Sequence, residues 1–242
     1  MPRLASIVAP VLGLTMLTGC SIVFPIADPL AGTTVDAHEV LIAGSDVGQL
    51  EGATTTEATE PFASTIDDYL ALHATGIPPI EPEECGDAVV DLVLLDRDAG
   101  AAGTIYSAPR IVLANGQDLL QTGREFADAG DAEEWFADYR ELLEGCPAFA
   151  VHASDGDIVV TQKVSDAGYE IDGFVVRLEI TGPDGEQTPD YNEQWMLRDG
   201  PFAVLVSSPS VDGADDALLP AVDLLHDRLV AAVAAAASDD AP

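Results

Sequence analysis

Between Ala148 and Ser208 the chain alternates apolar and polar residues and interrupts the alternation at turn-forming pairs. Phe174, Val176, Leu178 and Ile180 stand against Val175, Arg177 and Glu179. A repeat of two places successive side chains on opposite faces of an extended strand, whereas a helix needs a repeat near 3.6. Tyr191 to Arg198 alternates in the same way, with Tyr191, Glu193, Trp195 and Leu197 against Asn192, Gln194, Met196 and Arg198. Asp199-Gly200 is a strong hairpin signal. Pro201 then opens a strand over 202–206, at the position where its missing N–H does least harm. Ala148 to His152 and Ile158 to Val164 are joined through Ser154-Asp155-Gly156, and Gly182-Pro183-Asp184-Gly185 is a further turn. An antiparallel meander therefore fills this region, and the rest of the fold must be built around it.

The flanking segments supply helices. Leu218, Val222, Leu225, Leu229 and Val233 form one apolar stripe at helical spacing. Pro82 suits the first turn of a helix whose N-terminal end favours Glu83 and Glu84, and Cys85, Val89, Leu92 and Leu95 make its apolar face. Asp131 with Glu134 has a capping-box pattern. It introduces a helix carrying Trp135, Phe136, Tyr139, Leu142 and Leu143, which Gly145 ends as a C-terminal cap. Between these two helices, Thr104 to Leu113 reads as a strand and Asn115-Gly116 as a hairpin turn. Asp118 to Ala127 is the returning strand, with partial helix as the alternative. Val35 to Leu50 reads as a short helix and a turn at Gly44-Ser45-Asp46. Residues 51–60 read as an exposed loop, and Ser64 with Asp67 as the cap of a short helix bearing Tyr69, Leu70 and Leu72. Runs of strands with segregated helices give the α+β class: a twisted antiparallel sheet of about six or seven strands with helices packed on one face.

The N-terminus reads as an address. Arg3 precedes an apolar run from Leu4 to Leu17. That run is shorter than the roughly 20 residues a membrane-spanning helix needs and has the proportions of a signal-peptide core. It ends in Leu17-Thr18-Gly19-Cys20, the pattern of a bacterial lipobox: an aliphatic residue, two small ones and a cysteine to be acylated. An ordinary secretory signal that happens to contain a cysteine is the alternative. On this reading residues 1–19 are a lipoprotein signal peptide, 20–34 the lipidated terminus and tether, 35–236 the domain and 237–242 a frayed tail. The expected location is the extracytoplasmic face of the cell membrane, with the lipid as the membrane partner.

Charge narrows the partners further. Nine Lys and Arg face 43 Asp and Glu, a net charge of −34. Nucleic-acid affinity rests on cations that neutralise phosphates, so no nucleic acid is expected. With Cys20 assigned to lipid, Cys85 and Cys146 remain as an even pair, which in an oxidising compartment reads as a disulfide. Two buried free thiols are the alternative.

The order of several motifs resembles the extracellular sensor domain of the serine/threonine kinase PknH, a family that also occurs as free-standing sensor-domain lipoproteins. The motifs are the lipobox cysteine, Val40-Leu41-Ile42-Ala43-Gly44-Ser45-Asp46-Val47-Gly48, Pro82-Glu83-Glu84-Cys85 opening a helix, a helix closing on Cys146-Pro147-Ala148-Phe149, and the Arg198-Asp199-Gly200 hairpin before a C-terminal helix. The resemblance spans roughly residues 35–236. Members often carry two disulfides, and this chain has cysteines for one. The resemblance implies a twisted antiparallel sheet flanked by helices, a groove that takes a ligand, and no catalytic residues.

The sequence holds no nucleophile elbow, no His-Glu-x-x-His, no Cys-x-x-Cys and no phosphate loop, so no enzyme activity, metal or cofactor is expected. His152 lies near Asp155 and Asp157 and reads as a strand-end histidine beside an acidic turn, with a metal site or relay as the alternative. His226 reads as solvated. Asp184, Glu186, Asp190 and Glu193 lack the regular spacing of a calcium loop. Tyr191, Trp195 and Phe202 read first as core packing and, failing that, as the lining of a ligand groove. The expected function is a non-catalytic ligand-sensing or binding domain on a lipid anchor. The alternative is a structural or interaction lipoprotein of the cell envelope, whose partner would be an envelope protein and not a small molecule.

Overall fold

The structure is a computed structural model and describes residues 40–55, 62–64, 79–100, 104–107, 111–153, 156–185, 187–188, 193–208 and 215–239. The signal peptide, Cys20, the tether, the helix expected after Ser64 and Tyr191 all lie outside these residues. Twelve strands are described: β1 (Thr54–Thr55), β2 (Phe62–Ser64), β3 (Ile80–Glu81), β4 (Thr104–Ser107), β5 (Ile111–Val112), β6 (Asp118–Glu125), β7 (Ala148–Ala153), β8 (Gly156–Asp166), β9 (Asp172–Thr181), β10 (Gln187–Thr188), β11 (Glu193–Asp199) and β12 (Phe202–Ser208). The helices are α1 (Glu83–Gly100), α2 (Ala129–Gly145) and α3 (Asp215–Asp239), with a 3-10 turn at Gly44–Gln49.

The strands form one antiparallel sheet in the order β1-β5-β6-β12-β11-β9-β8-β7-β3, with β4 also on β6, β2 on β4 and β10 on β9. The meander read from the sequence is β7 to β12. Its turns use the glycines the sequence supplies: Gly200 has φ +51 between β11 and β12, and Gly116 has φ +81 between β5 and β6. The α+β class stands, and the strand count exceeds the six or seven expected. The excess comes from two-residue edge pairings such as β1 on β5, which draws Thr54 and Thr55 out of the expected loop, and from the division of 104–113 into β4 and β5.

Helices cover both faces of the sheet, which corrects the one-face expectation. Phe174, Val176, Leu178 and Ile180 on β9, Met196 on β11 and Ala203 and Leu205 on β12 pack with Cys85, Val89 and Leu92 of α1 and Trp135, Phe136 and Tyr139 of α2. Val175, Trp195, Leu197, Phe202, Val204 and Val206 point the other way, into a second core with Leu218, Val222, Leu225 and Leu229 of α3. The central strands are thus buried on both sides, and all seven residues of β12 are buried. The unbroken apolar run over 202–206 is the sequence mark of that two-sided burial.

Three local readings change. The N-cap of α2 is Asp128, whose carboxylate accepts from the amides of Gly130 (2.7 Å) and Asp131 (3.0 Å). Asp131 therefore sits in the first turn, and the cap is worth about 1 kcal/mol. At the other end Gly145 is the last helical residue, and Cys146 is the C-cap, with its amide donating to the Leu143 carbonyl at 3.3 Å. Finally, Val40 to Ala43 lie buried without forming a helix, and the 3-10 turn replaces the turn expected at Gly44.

This buried segment is held by side chains from distant sequence. Gln121 on β6 offers its Oε1 to the Ile42 amide (2.9 Å) and donates from Nε2 to the Ile42 carbonyl (3.0 Å). The amide side chain does what a neighbouring strand would do. Arg228 of α3 donates to the Leu41 carbonyl at 2.7 Å and pairs with Asp46 at 2.9 Å. Asp46 in turn accepts from the Ala43 amide at 2.9 Å, which caps the 3-10 turn.

Candidate functional site

Helix α1 begins beside the end of α2 because a disulfide joins them. Cys85 lies in the first turn of α1 and Cys146 caps α2; their Cα atoms are 5.4 Å apart and both residues are buried. The pairing expected from the cysteine count is present. Behind it, between α1, α2 and the sheet, is a cavity of about 40 Å³. Its walls are apolar: Val89 and Leu92 from α1, Leu142 and Leu143 from α2, Phe149 from β7, and Val176 and Leu178 from β9. The polar side chains in the lining are Tyr139, Gln162 and Gln194, and none of the lining residues is charged.

The two glutamines differ. Gln162 on β8 donates from Nε2 to the Leu143 carbonyl at 2.7 Å, and its backbone amide donates to the Pro147 carbonyl at 2.8 Å. It ties the end of α2 to the sheet. Gln194 on β11 is 8% exposed and lines the cavity; its amide makes no hydrogen bond to the described residues and is not among the fully buried polar groups, so it opens onto the cavity. Opposite it on β12 stands Ser207, 1% exposed, whose hydroxyl also lacks a partner. Buried polar groups are ordinarily hydrogen-bonded, so the Ser207 hydroxyl is unusual. The alternation of 191–198 assigned Gln194 to the face opposite Trp195, which is correct. The missing signal was that this face, too, is covered.

The expected groove residues part company. Trp195 and Phe202 are core side chains on the α3 face, 7% and 3% exposed. Burial of their rings against α3 is the core packing read first for them above, and Tyr191 lies outside the described residues. The Trp195 indole donates to Glu193 at 2.6 Å. Glu193 also meets the Arg177 guanidinium at 3.4 Å, which occupies the one described carboxylate of the loosely spaced acidic set that lies on a strand. Nearby, Tyr169 donates to Asp223 at 2.6 Å, and its ring stacks on His226 with centroids 4.6 Å apart. Burial, then the Asp223 contact, pushes the Tyr169 phenol above its ordinary range. His226 is therefore half-covered by an aromatic ring, contrary to its reading as a solvated residue. Among the described residues no group of three or more His, Cys, Asp and Glu is placed to hold a metal, and no helix is long and apolar enough to cross a membrane.

His152 on β7 lies between two carboxylates. Its Nδ1 is 2.8 Å from Asp157 on β8 and its Nε2 is 3.4 Å from Glu81 on β3. The hydrogen bond to Asp157 leads in raising the imidazole above its ordinary value of 6.5, against some desolvation, with Glu81 adding to it. The charged form is favoured by folding. The stabilisation is complete below the unfolded value of 6.5 and is lost as pH rises through the folded value. NMR titration should place the His152 midpoint above 6.5 in the folded chain, and Asp157→Asn should return it most of the way. An unchanged midpoint in Asp157→Asn would assign the shift elsewhere.

Two solved structures are similar to the chain. The extracellular domain of PknH from Mycobacterium tuberculosis superposes with a TM-score of 0.48 at 15% identity, over 81% of this chain and 98% of that one. An uncharacterised Mycobacterium smegmatis protein, an Rv0999 ortholog, superposes with a TM-score of 0.45 at 12% identity, over 82% and 97%. The likeness is of fold alone. No family model and no curated protein matches the chain.

Proposed function

We propose that the chain is a lipoprotein held on the extracytoplasmic face of the membrane through Cys20, and that its domain, over residues 35–236, binds a ligand without catalysing a reaction. The cavity between α1, α2 and the sheet carries the binding reading. It is lined by apolar side chains and by amides that recognise but do not react, and it contains no titratable pair and no activated nucleophile. The lipobox supports the anchor, and a bonded cysteine pair accords with an oxidising compartment. The high acidic charge suits a domain that stands off anionic headgroups, with the lipid supplying the attachment.

The anchor and the binding role are tested separately. The wild-type chain should enter the detergent phase on phase separation and take up labelled fatty acid. Cys20→Ser should do neither. A Cys20→Ser chain that still takes up labelled fatty acid would overturn the lipid anchor. For the binding role, a thermal-shift screen with cell-wall fragments and lipids should raise the melting temperature for at least one class. A screen without any shift would favour a structural role in an envelope assembly.

A further inference from the structure

Resting on the binding reading above, the geometry points to the class of ligand: an uncharged amphiphile whose hydroxyl or amide head pairs with Gln194 and Gln162 while a short alkyl group fills the space against α1 and α2. Three observations carry this. First, Gln194 is 8% exposed and lines the cavity, and its amide, with two donors and an acceptor, makes no hydrogen bond to the described residues and opens onto the cavity. The Gln162 amide spends a donor on Leu143, and its Oε1 accepts no hydrogen bond from the described residues. Together the two amides call for a head that both gives and accepts a hydrogen bond. A hydroxyl or a primary amide does this, and a hydrocarbon does not.

Second, the lining contains no cation, and the whole chain carries a net charge of −34. A carboxylate or phosphate entering this site would lose its hydration with no counter-charge to replace it. Anionic lipids and fatty acids are therefore disfavoured relative to neutral molecules of the same length. An ammonium head would also be desolvated without a facing carboxylate in the lining. Third, the space is small. A cavity of 40 Å³ holds about three water-sized centres, which suits a short branched alkyl group such as an isobutyl. A free small molecule and the end of a larger neutral lipid share that chemistry.

The test uses methyl NMR on the full chain carrying Cys20→Ser, so that no detergent competes for the site. The probes are isobutanol, isobutyramide and isobutyrate at neutral pH. The methyl signals of Val89, Leu92, Leu142 and Val176 should move saturably with the first two and stay in place with isobutyrate. Gln194→Leu should weaken isobutyramide binding about tenfold, the loss expected for one buried hydrogen bond pair, while the methyls of Val204 and Leu225 in the other core stay in place. Leu142→Phe, on a half-buried wall, fills the space and should abolish binding, and it serves as the second variant if Gln194→Leu disturbs the sheet. Isobutyrate binding as well as isobutanol, or full binding by either variant, overturns the ligand class. If all three probes leave these methyls unmoved while envelope fragments shift them, the class is wrong and the binding role survives. If fragments and probes alike leave them unmoved, both fall.

Discussion

Replacing Cys85 and Cys146 together by serine should lower the free energy of unfolding by about 4 kcal/mol, the chain-entropy value for a closed loop of this length. The residues are 61 apart in sequence, so the bond removes a large set of open conformations from the unfolded chain. That loss is a large part of the roughly 5–15 kcal/mol that holds a typical domain together. The loss should also be local in character. Helix α1 meets the rest of the domain through Cys85, Val89 and Leu92, through its packing on α2 and through the short β3 pairing that precedes it. Without the bond, amide exchange in α1 and β3 should rise before that in β9, β11 and β12. Urea titration with far-UV detection measures the first effect and hydrogen exchange the second. A loss below about 1 kcal/mol would mean that the reduced chain already keeps α1 and α2 together when unfolded, the residual-structure case known to weaken such bonds.

A second large effect is expected at Phe174. Its ring is 1% exposed and lies 5.0 Å from that of Phe136 and 6.4 Å from that of Tyr139, both on α2. It stands on β9 between Asp166 of β8 and Met196 of β11. Phe174→Ala removes the side chain on which α2 is seated and should cost about 3–5 kcal/mol, since so large a void in a two-layer contact closes poorly. The adjacent residue supplies the control. Val175 points into the α3 core, and Val175→Ala removes two methyl groups, so its cost should be clearly smaller and should fall on the other layer. Near-UV circular dichroism should report the difference, because Trp135 and Tyr139 sit with α2 while Trp195 sits with α3. Equal losses at the two positions would contradict the division into two cores.

The strands were legible because period-two patterning and the pairs Asn115-Gly116 and Asp199-Gly200 act locally. The same holds for the α3 stripe and for Pro82 at the head of α1. What escaped depends on which surfaces end up covered. Val175 reads as the outward partner of Phe174 until α3 is placed over it. The alternation puts Gln194 opposite Trp195 but does not show that α1 and α2 cover its face. The cap of α2 was misread by three residues because Asp128 and Asp131 offer similar side chains, and only the extended backbone at Asp128 decides between them. The clamp on Val40 to Ala43 links residues 79 and 187 positions apart, which no local pattern encodes. The candidate site suffered most. Its two decisive glutamines come from different strands, and the aromatic residues that drew notice belong to the core.

That clamp determines how the domain meets a mechanical load. A pull arriving from the N-terminal side of Val40 does not begin at an edge strand that can be peeled bond by bond. It enters through Ile42 into β6, a strand flanked by β5 and β4 on one side and β12 on the other, and through Leu41 into α3 near the opposite end of the chain. Tension is therefore shared between an interior strand and the last helix from the outset. The segment at Val40 to Ala43 and the last helix are thereby coupled, so a load on one is carried in part by the other.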